Sequence, residues 1–181
     1  ATEFTLEQTR PVFLNILRNL RRVSYISKII FGLDKGTDQE ALELARLIKS
    51  YGIKNFLIQH NEGPGFRSLY EKLNDAGVGF NQPGKGRNMF MSFGIAQALE
   101  AQYVGVIDAD IKTFHRRQLD RLFYPSLVLN YQFTKASYLR IGENKLHGRV
   151  KRLLLDPFLL SLKRKFSETG EEKFLKLVDY L

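Results

Sequence analysis

Hydrophobic residues follow two different periods along residues 1–110, and the alternation of these periods predicts an α/β fold. Apolar residues three and four positions apart predict amphipathic helices, and short apolar runs predict buried strands. The predicted helices lie at about 10–23, from 37 to Gly52, through Leu69 and Leu73 to a stop at 74–77, and at about 88–101. The predicted strands lie at 28–33, 53–59, 78–80 and 104–107. This order indicates a mostly parallel sheet with helices on both faces, in one domain spanning 1–181.

The second part of the chain shows a different pattern. It predicts a short helix at 116–122 that Pro125 interrupts, a strand at 131–140 and a turn at 142–144. A long amphipathic helix or helix pair follows from 148, with a break or kink at Pro157, and a last helix spans 171–181. One helix start is especially clear, because Thr37 followed by Glu40 forms a capping-box sequence.

Two carboxylates follow the most apolar predicted strand. Asp108 and Asp110 come directly after Val104–Ile107, and the carboxyl ends of parallel strands are where open α/β sheets bind ligands. Such a pair can hold a hard divalent cation, which in turn can bind a diphosphate. The alternative is an exposed turn with two solvated acids, because an Asp-x-Asp sequence is common.

A glycine-rich segment is predicted at the same edge of the sheet. In Gly84-Lys85-Gly86 the glycines allow close approach of a ligand, and the lysine and the following helix start favour an anion. The spacing matches neither a P-loop nor a dinucleotide fingerprint, so a plain turn with a solvated lysine is the alternative. Asp34 ends the first predicted strand, where it could accept hydrogen bonds from a ribose or could simply form an Asx turn.

Basic residues cluster between 135 and 165. Arg149 is placed near a predicted helix start, where its charge opposes the helix dipole, so we expect it to bind a phosphate or carboxylate. The alternative is a solvated basic face in which Arg149 pairs with an acid. The candidate set comprises Lys135, Tyr138, Arg140, Arg149, Lys151 and Arg152. The histidines, at 60, 115 and 147, show no metal-ligand spacing.

The composition excludes few classes of binding partner. The 181 residues carry a formal net charge of +9, which suits nucleic acid, phosphorylated small molecules or acidic membrane surfaces equally well. No nucleic-acid motif is present and the aromatic residues follow apolar faces, which disfavours nucleic acid. No apolar stretch is long enough for a membrane span. The absence of cysteine excludes disulfides and thiolate chemistry and fits a cytoplasmic protein.

The order of these motifs resembles a known family. Asp34, Pro83-Gly84-Lys85-Gly86, Asp108-Ala109-Asp110, Lys135-x-x-Tyr138-x-Arg140 and Gly148-Arg149-Val150 resemble the retaining glycosyltransferases of GT-A fold, which is Rossmann-like. More narrowly, they resemble the glucosyl-3-phosphoglycerate synthase and mannosylglycerate synthase group, which makes precursors of compatible solutes.

The resemblance implies a role for each motif. Asp108 would bind the ribose and Asp110 the Mg²⁺ or Mn²⁺ ion of a nucleotide-diphospho-sugar, with Lys85 near the donor and Asp34 also at the donor site. Arg149 would bind the phosphate of 3-phosphoglycerate, with Lys135, Tyr138 and Arg140 in the same acceptor site. No catalytic base is implied, so the catalytic residue stays unassigned.

The chain departs from the family pattern in three places. The family's first strand should precede the helix at 10–23, its C-terminal part should carry a metal-ligand histidine, and Lys151 replaces an expected threonine. We therefore interpret the chain as the core of a longer protein whose activity depends on the remaining parts. An exposed sheet edge would then favour self-association.

Two other function classes remain open from the sequence. A nucleotidyltransferase also uses paired acids and a lysine near a phosphate. A basic nucleic-acid-binding domain would explain the net charge without any enzyme activity.

Overall fold

The computed structural model describes residues 10–79, 82–136, 140–142, 145–147, 151–171 and 174–175. It has two compact units, residues 1–134 and 135–181, and each is described separately below. The sequence instead predicts one domain over the whole chain, and that assignment remains a prediction.

The first unit has a core built around an amphipathic helix. This helix, α1 (Arg10–Leu20), buries Phe13, Ile16, Leu17 and Leu20, which recur at the predicted helical spacing. The core also contains Leu33, Leu44, Ile48, Ile53, Phe114 and Leu119. The predicted helix is therefore confirmed, although it ends earlier than residue 23.

Two strands form a parallel sheet. Strand β1 (Ile29–Leu33) pairs in parallel with β2 (Phe56–His60), so that Ile29 lies opposite Phe56 and Leu33 opposite His60. Helix α2 (Asp38–Ser50) connects the two strands, and helix α3 (Pro64–Asp75) follows β2. The carboxyl ends of both strands therefore meet at one edge.

The capping box at the start of α2 is confirmed. The Thr37 Oγ1 accepts a hydrogen bond from the Glu40 N–H, and the Glu40 carboxylate accepts one from the Thr37 N–H. This second bond favours the ionised carboxylate and lowers the pKa of Glu40. The predicted stop at Gly52 is also present, with φ of 77° there.

The predicted strand at 104–107 is wrong. Residues 103–108 have no strand pairing among the described residues, and Val104 and Val106 are 48% and 46% exposed. A Cβ on Gly105 would lie 2.5 Å from Phe123 Cζ, so this segment packs against a helix rather than within the sheet. An apolar run shows a tendency to be buried but does not specify a hydrogen-bonding neighbour, and within the described residues this run has none. The weak strand predicted at 78–80 is likewise absent at 78–79.

Two helix boundaries also differ from the predictions. Helix α4 (Lys85–Ala98) begins three residues before the predicted start at 88, so Lys85 and Gly86 are helical rather than loop residues. Helix α5 (Arg117–Val128) continues through Pro125 instead of stopping before it. A proline removes only one intrahelical donor, and here α5 ends within one turn of it, so little of the helix is affected.

The second unit contains a hairpin and a helix. Strands β3 (Arg140–Gly142) and β4 (Lys145–His147) pair antiparallel around the predicted turn, although the strand predicted at 131–140 is absent over 131–136. A π-helix at Lys151–Leu155 leads into α6 (Asp156–Thr169). Pro157 is in the first turn of α6, where the missing N–H is tolerated. The change from π-helix to α-helix, between Leu155 and Asp156, is therefore close to the predicted break at Pro157. Of the last predicted helix, at 171–181, only residues 171 and 174–175 are described; 174–175 are helical and 171 is not.

The fold is therefore a mixed α/β fold with a two-stranded parallel sheet in the first unit, as the predicted class requires. Two of the four predicted parallel strands form among the described residues. No helix in the described ranges combines the length and apolarity that crossing a bilayer requires.

Candidate functional site

Lys85 and Asp108 are brought together, although the strand that the sequence predicts directly before Asp108 is absent among the described residues. The Lys85 Nζ lies 2.5 Å from the Asp108 Oδ1, and the two side chains are 69% and 39% exposed. Gly84, just before α4, has φ of 156° and ψ of 179°, a backbone conformation that is essentially restricted to glycine. Helix α4 has no side-chain cap at Gly84, and its first turn, which carries the N–H groups that a helix start leaves without intrahelical partners, is next to the corner formed by Lys85 and Asp108. This corner can therefore bind an anion.

Asp110 lies two residues further on, in an exposed turn. Within the described ranges there is no group of three or more His, Cys, Asp or Glu residues that could form a complete metal site. Mg²⁺ is commonly held by one or two carboxylates together with substrate phosphates and water, rather than by an all-protein cage. Asp110, with Asp108 beside it, therefore fits a divalent ion that arrives with a diphosphate.

Asp34 is paired with protein side chains, whereas its position at the end of a predicted strand suggested a hydrogen bond to a ribose or an Asx turn. Its Oδ1 accepts hydrogen bonds from the Arg87 guanidinium at 3.0 Å and from the Asn61 amide at 3.1 Å. Arg87 also donates to Glu62 Oε1 at 2.5 Å, and its guanidinium carbon lies 4.8 Å above the ring of Tyr70. The carboxylate at the end of β1 is thus held in an ion-pair cluster, and its role in donor binding remains a prediction.

This cluster is partly buried and strongly charged. The Arg87 side chain is only 9% exposed, against 19% for Asp34 and 30% for Glu62. Burial by itself lowers the pKa of Arg87, but the hydrogen bonds to Asp34 and Glu62 outweigh it and the pKa is raised. Burial also raises the pKa of Tyr70, so its phenol stays neutral beside the guanidinium. The Tyr70 hydroxyl and the Arg87 Nε have no hydrogen-bond partner in the described structure.

A buried amide network is linked to the cluster by the hydrogen bond from Asn61 to Asp34. Gln59 and Asn61, at 0% and 1% exposure, are the only buried polar residues of the described core. The Gln59 Nε2 donates to Asn88 Oδ1 at 2.7 Å and to Asn61 Oδ1 at 2.8 Å, while the Ser92 hydroxyl donates to Gln59 Oε1 at 2.7 Å. The network therefore connects the first turns of α4 to the end of β2 through hydrogen bonds.

Sequence reasoning did not identify Arg87, Glu62 or this network. A signal was present, because polar Gln59 and Asn61 alternate at the end of an apolar strand, which places both on one face. Arg87 carried the signal that the sequence analysis used for Arg149, an arginine beside a predicted helix start, and it pairs with two carboxylates.

The four candidate acceptor residues remain untested. Lys135 is exposed and lies in coil at the start of the second unit, and Arg140 begins β3. Tyr138 and Arg149 lie outside the described residues. Their assignment to an acceptor site therefore stays a prediction.

Comparison with known proteins bears directly on the resemblance. The chain is 32% identical over 172 residues to a glucosyl-3-phosphoglycerate synthase of Persephonella marina (strain DSM 14350 / EX-H1). The resemblance to the glucosyl-3-phosphoglycerate synthase group is confirmed. The match covers 93% of this chain but 41% of the relative, so the chain spans about two fifths of that protein's length.

Two further comparisons gave no match. No family model matches the chain, and no solved structure is significantly similar to it. The similarity to the synthase extends across nearly the whole chain.

Proposed function

We propose that the complete protein is a metal-dependent glycosyltransferase that transfers a hexose, glucose by analogy with the relative, from a nucleotide-diphospho-sugar to 3-phosphoglycerate or a similar small anion. The main support is the pairing of Lys85 with the first acid of an Asp-x-Asp segment, at the start of α4, in a chain related to a glucosyl-3-phosphoglycerate synthase. This arrangement has the charges that a diphosphate and its cation require.

Each group at the corner would have a separate task. Asp108 would bind the donor ribose, and Lys85 would move from Asp108 to the diphosphate or sugar as the donor enters. Asp110 would hold Mg²⁺ or Mn²⁺, whose charge would neutralise the diphosphate when the sugar–phosphate bond breaks. Arg149, with Lys135, Tyr138 and Arg140, would bind the acceptor anion. A role in making compatible solutes, a cytoplasmic location and self-association belong to the same proposal.

The metal assignment is tested by Asp110→Asn, which keeps the side-chain size but removes the charge. We expect Mn²⁺-dependent binding of a nucleotide-sugar to fall by at least about tenfold, since a charged contact contributes roughly 1.5–3 kcal/mol. Calorimetric titration with UDP-, ADP- and GDP-glucose, each with and without Mn²⁺, measures the change. Asp75→Asn, an exposed acid at the end of α3, is the matched control. Unchanged Mn²⁺-dependent binding in the Asp110 variant would refute the assignment.

The acceptor assignment is tested by Arg149→Ala. We expect use of 3-phosphoglycerate to weaken by roughly ten- to a hundred-fold, because a charged hydrogen bond is lost, while donor affinity stays the same. Steady-state kinetics with the acceptor varied at saturating donor measures this, with the exposed Arg164→Ala as control. An unaffected acceptor KM and kcat would show that Arg149 does not bind the acceptor.

Two further measurements separate the other function classes. Turnover of a nucleoside triphosphate with a sugar phosphate would indicate a nucleotidyltransferase. Thermal stabilisation by an oligonucleotide, with none by any nucleotide-sugar, would indicate a nucleic-acid-binding domain.

A further inference from the structure

The Arg87 side chain connects four elements of the first unit. It projects from the first turn of α4, contacts Asp34 after β1 at 3.0 Å and Glu62 after β2 at 2.5 Å, and stacks on Tyr70 of α3 at 4.8 Å. A planar guanidinium can meet two carboxylates and an aromatic face at once, whereas a lysine ammonium cannot. The position of this turn of α4 is therefore determined by contacts on three sides.

The acids of the cluster are themselves held in place. Glu62 Oε2 accepts a hydrogen bond from the Lys35 N–H at 2.7 Å, and Asp34 accepts one from the Asn61 amide at 3.1 Å. Each carboxylate therefore has a second contact, besides the one to Arg87, that restrains its position. A buried ion pair of this kind adds little stability on average, but it can specify a single geometry.

Lys85 is two residues before Arg87 in the same helical turn. Its side chain is 69% exposed and has four rotatable bonds, and its ammonium lies 2.5 Å from the Asp108 Oδ1. The backbone of the turn sets the point from which this side chain extends, and the contacts of Arg87 help to hold that backbone. Asn88, the next residue, adds contacts to Gln59 and Asn61 on the same side.

We propose that Arg87, held by Asp34 and Glu62, is a positioning residue that places the Lys85 ammonium at the Asp108 corner for donor binding. This inference rests on the proposed function, since it assumes that Lys85 contacts the donor. It assigns Asp34 an indirect part in donor binding, through Arg87.

A double-mutant cycle in the complete protein tests the proposal. Donor affinity is measured by calorimetry, with Mn²⁺ and whichever of UDP-, ADP- and GDP-glucose binds most tightly, for wild type, Arg87→Met, Lys85→Met and the double variant. We expect Lys85→Met to weaken binding by roughly ten- to a hundred-fold, as loss of one charged hydrogen bond does. Arg87→Met should weaken it by about three- to tenfold alone but by less than about twofold in the Lys85→Met background, because coupled residues are not additive.

Matched variants separate positioning from general destabilisation. Arg67→Met removes an exposed arginine of α3 whose Nε donates to the Glu62 carbonyl at 2.8 Å, and it should bind donor within about twofold of wild type. If Arg87→Met fails to fold, Glu62→Gln replaces it in the cycle, since this change removes one partner's charge and keeps its shape.

The outcomes are distinct. Equal losses from the Arg87 or Glu62 change in both backgrounds, or no loss in either, would overturn the positioning role while leaving the donor site intact. Unchanged donor binding in both Lys85→Met and Asp110→Asn would instead refute the proposed donor site, and the positioning role with it.

Discussion

Gly32 in β1 offers a sensitive test of the buried amide network. A Cβ built at Gly32 would lie 2.7 Å from Asn88 Nδ2 and nearer still to Asn88 Oδ1, well inside the 3.4 Å at which ordinary contact begins. Gly32→Ala must therefore displace the Asn88 amide. That amide accepts hydrogen bonds from Gln59 at 2.7 Å and from Asn61 at 3.1 Å.

The expected loss of stability follows from these contacts. Weakening two hydrogen bonds costs about 0.5–1.5 kcal/mol each, at the lower end because Gln59 and Asn61 keep other partners. Forcing Asn88 away from its preferred rotamer adds about 0.5–1.5 kcal/mol. Replacing a strand glycine with alanine by itself raises the free energy of unfolding by roughly 0.5–1 kcal/mol. We therefore expect a net loss of about 0.5–2 kcal/mol, which lowers Tm by about 2–4 °C per kcal/mol in a chain of this size.

Urea unfolding followed by circular dichroism measures this loss. Gly94→Ala in α4, where an added Cβ meets nothing within 4 Å, is the control and should be neutral or stabilising by up to about 1 kcal/mol. In an Asn88→Ala background the clash is gone, so Gly32→Ala should there be neutral or favourable. A Gly32→Ala protein as stable as wild type, or one whose loss persists without Asn88, would refute the packing argument.

Two further predictions concern local contacts in the first unit. Thr37→Ala removes the side-chain half of the capping box and should lower the free energy of unfolding by about 1 kcal/mol in urea titration, whereas no change would show that α2 does not depend on its cap. Burial and the hydrogen bond to Asp120 raise the pKa of Tyr25 to about 12, so the folded state favours the neutral phenol. Its contribution to stability should be complete below pH 10.0, the ordinary value, and decline as the pH rises toward 12. Tyr25→Phe should lack this part of the alkaline decline, and an identical pH profile would contradict it.

The structure explains why some elements could be predicted and others could not. Helix α1 and the capping box depend on residues three or four positions apart, and both formed where the sequence predicted them. The segment at 104–107 has an equally clear apolar pattern, but a strand requires a hydrogen-bonding neighbour, and the described residues supply none. The start of α4 was predicted three residues late because Gly84 and Gly86 favour a loop by composition alone, whereas Arg87 and Asn88 hold the turn through distant residues.

By itself, the sequence determined the α/β class, the Asp108–Asp110 pair and the resemblance to the synthase group, because each rests on residue types in a fixed linear order. Only the tertiary structure decided which charges meet. It pairs Lys85 with Asp108 across 23 positions and Arg87 with Asp34 across 53, and no local pattern encodes contacts at such separations. Asp34 became an ion-pair partner of a buried arginine for the same reason, since burial makes an unpaired charge too costly and the nearest carboxylates at the sheet edge satisfy it.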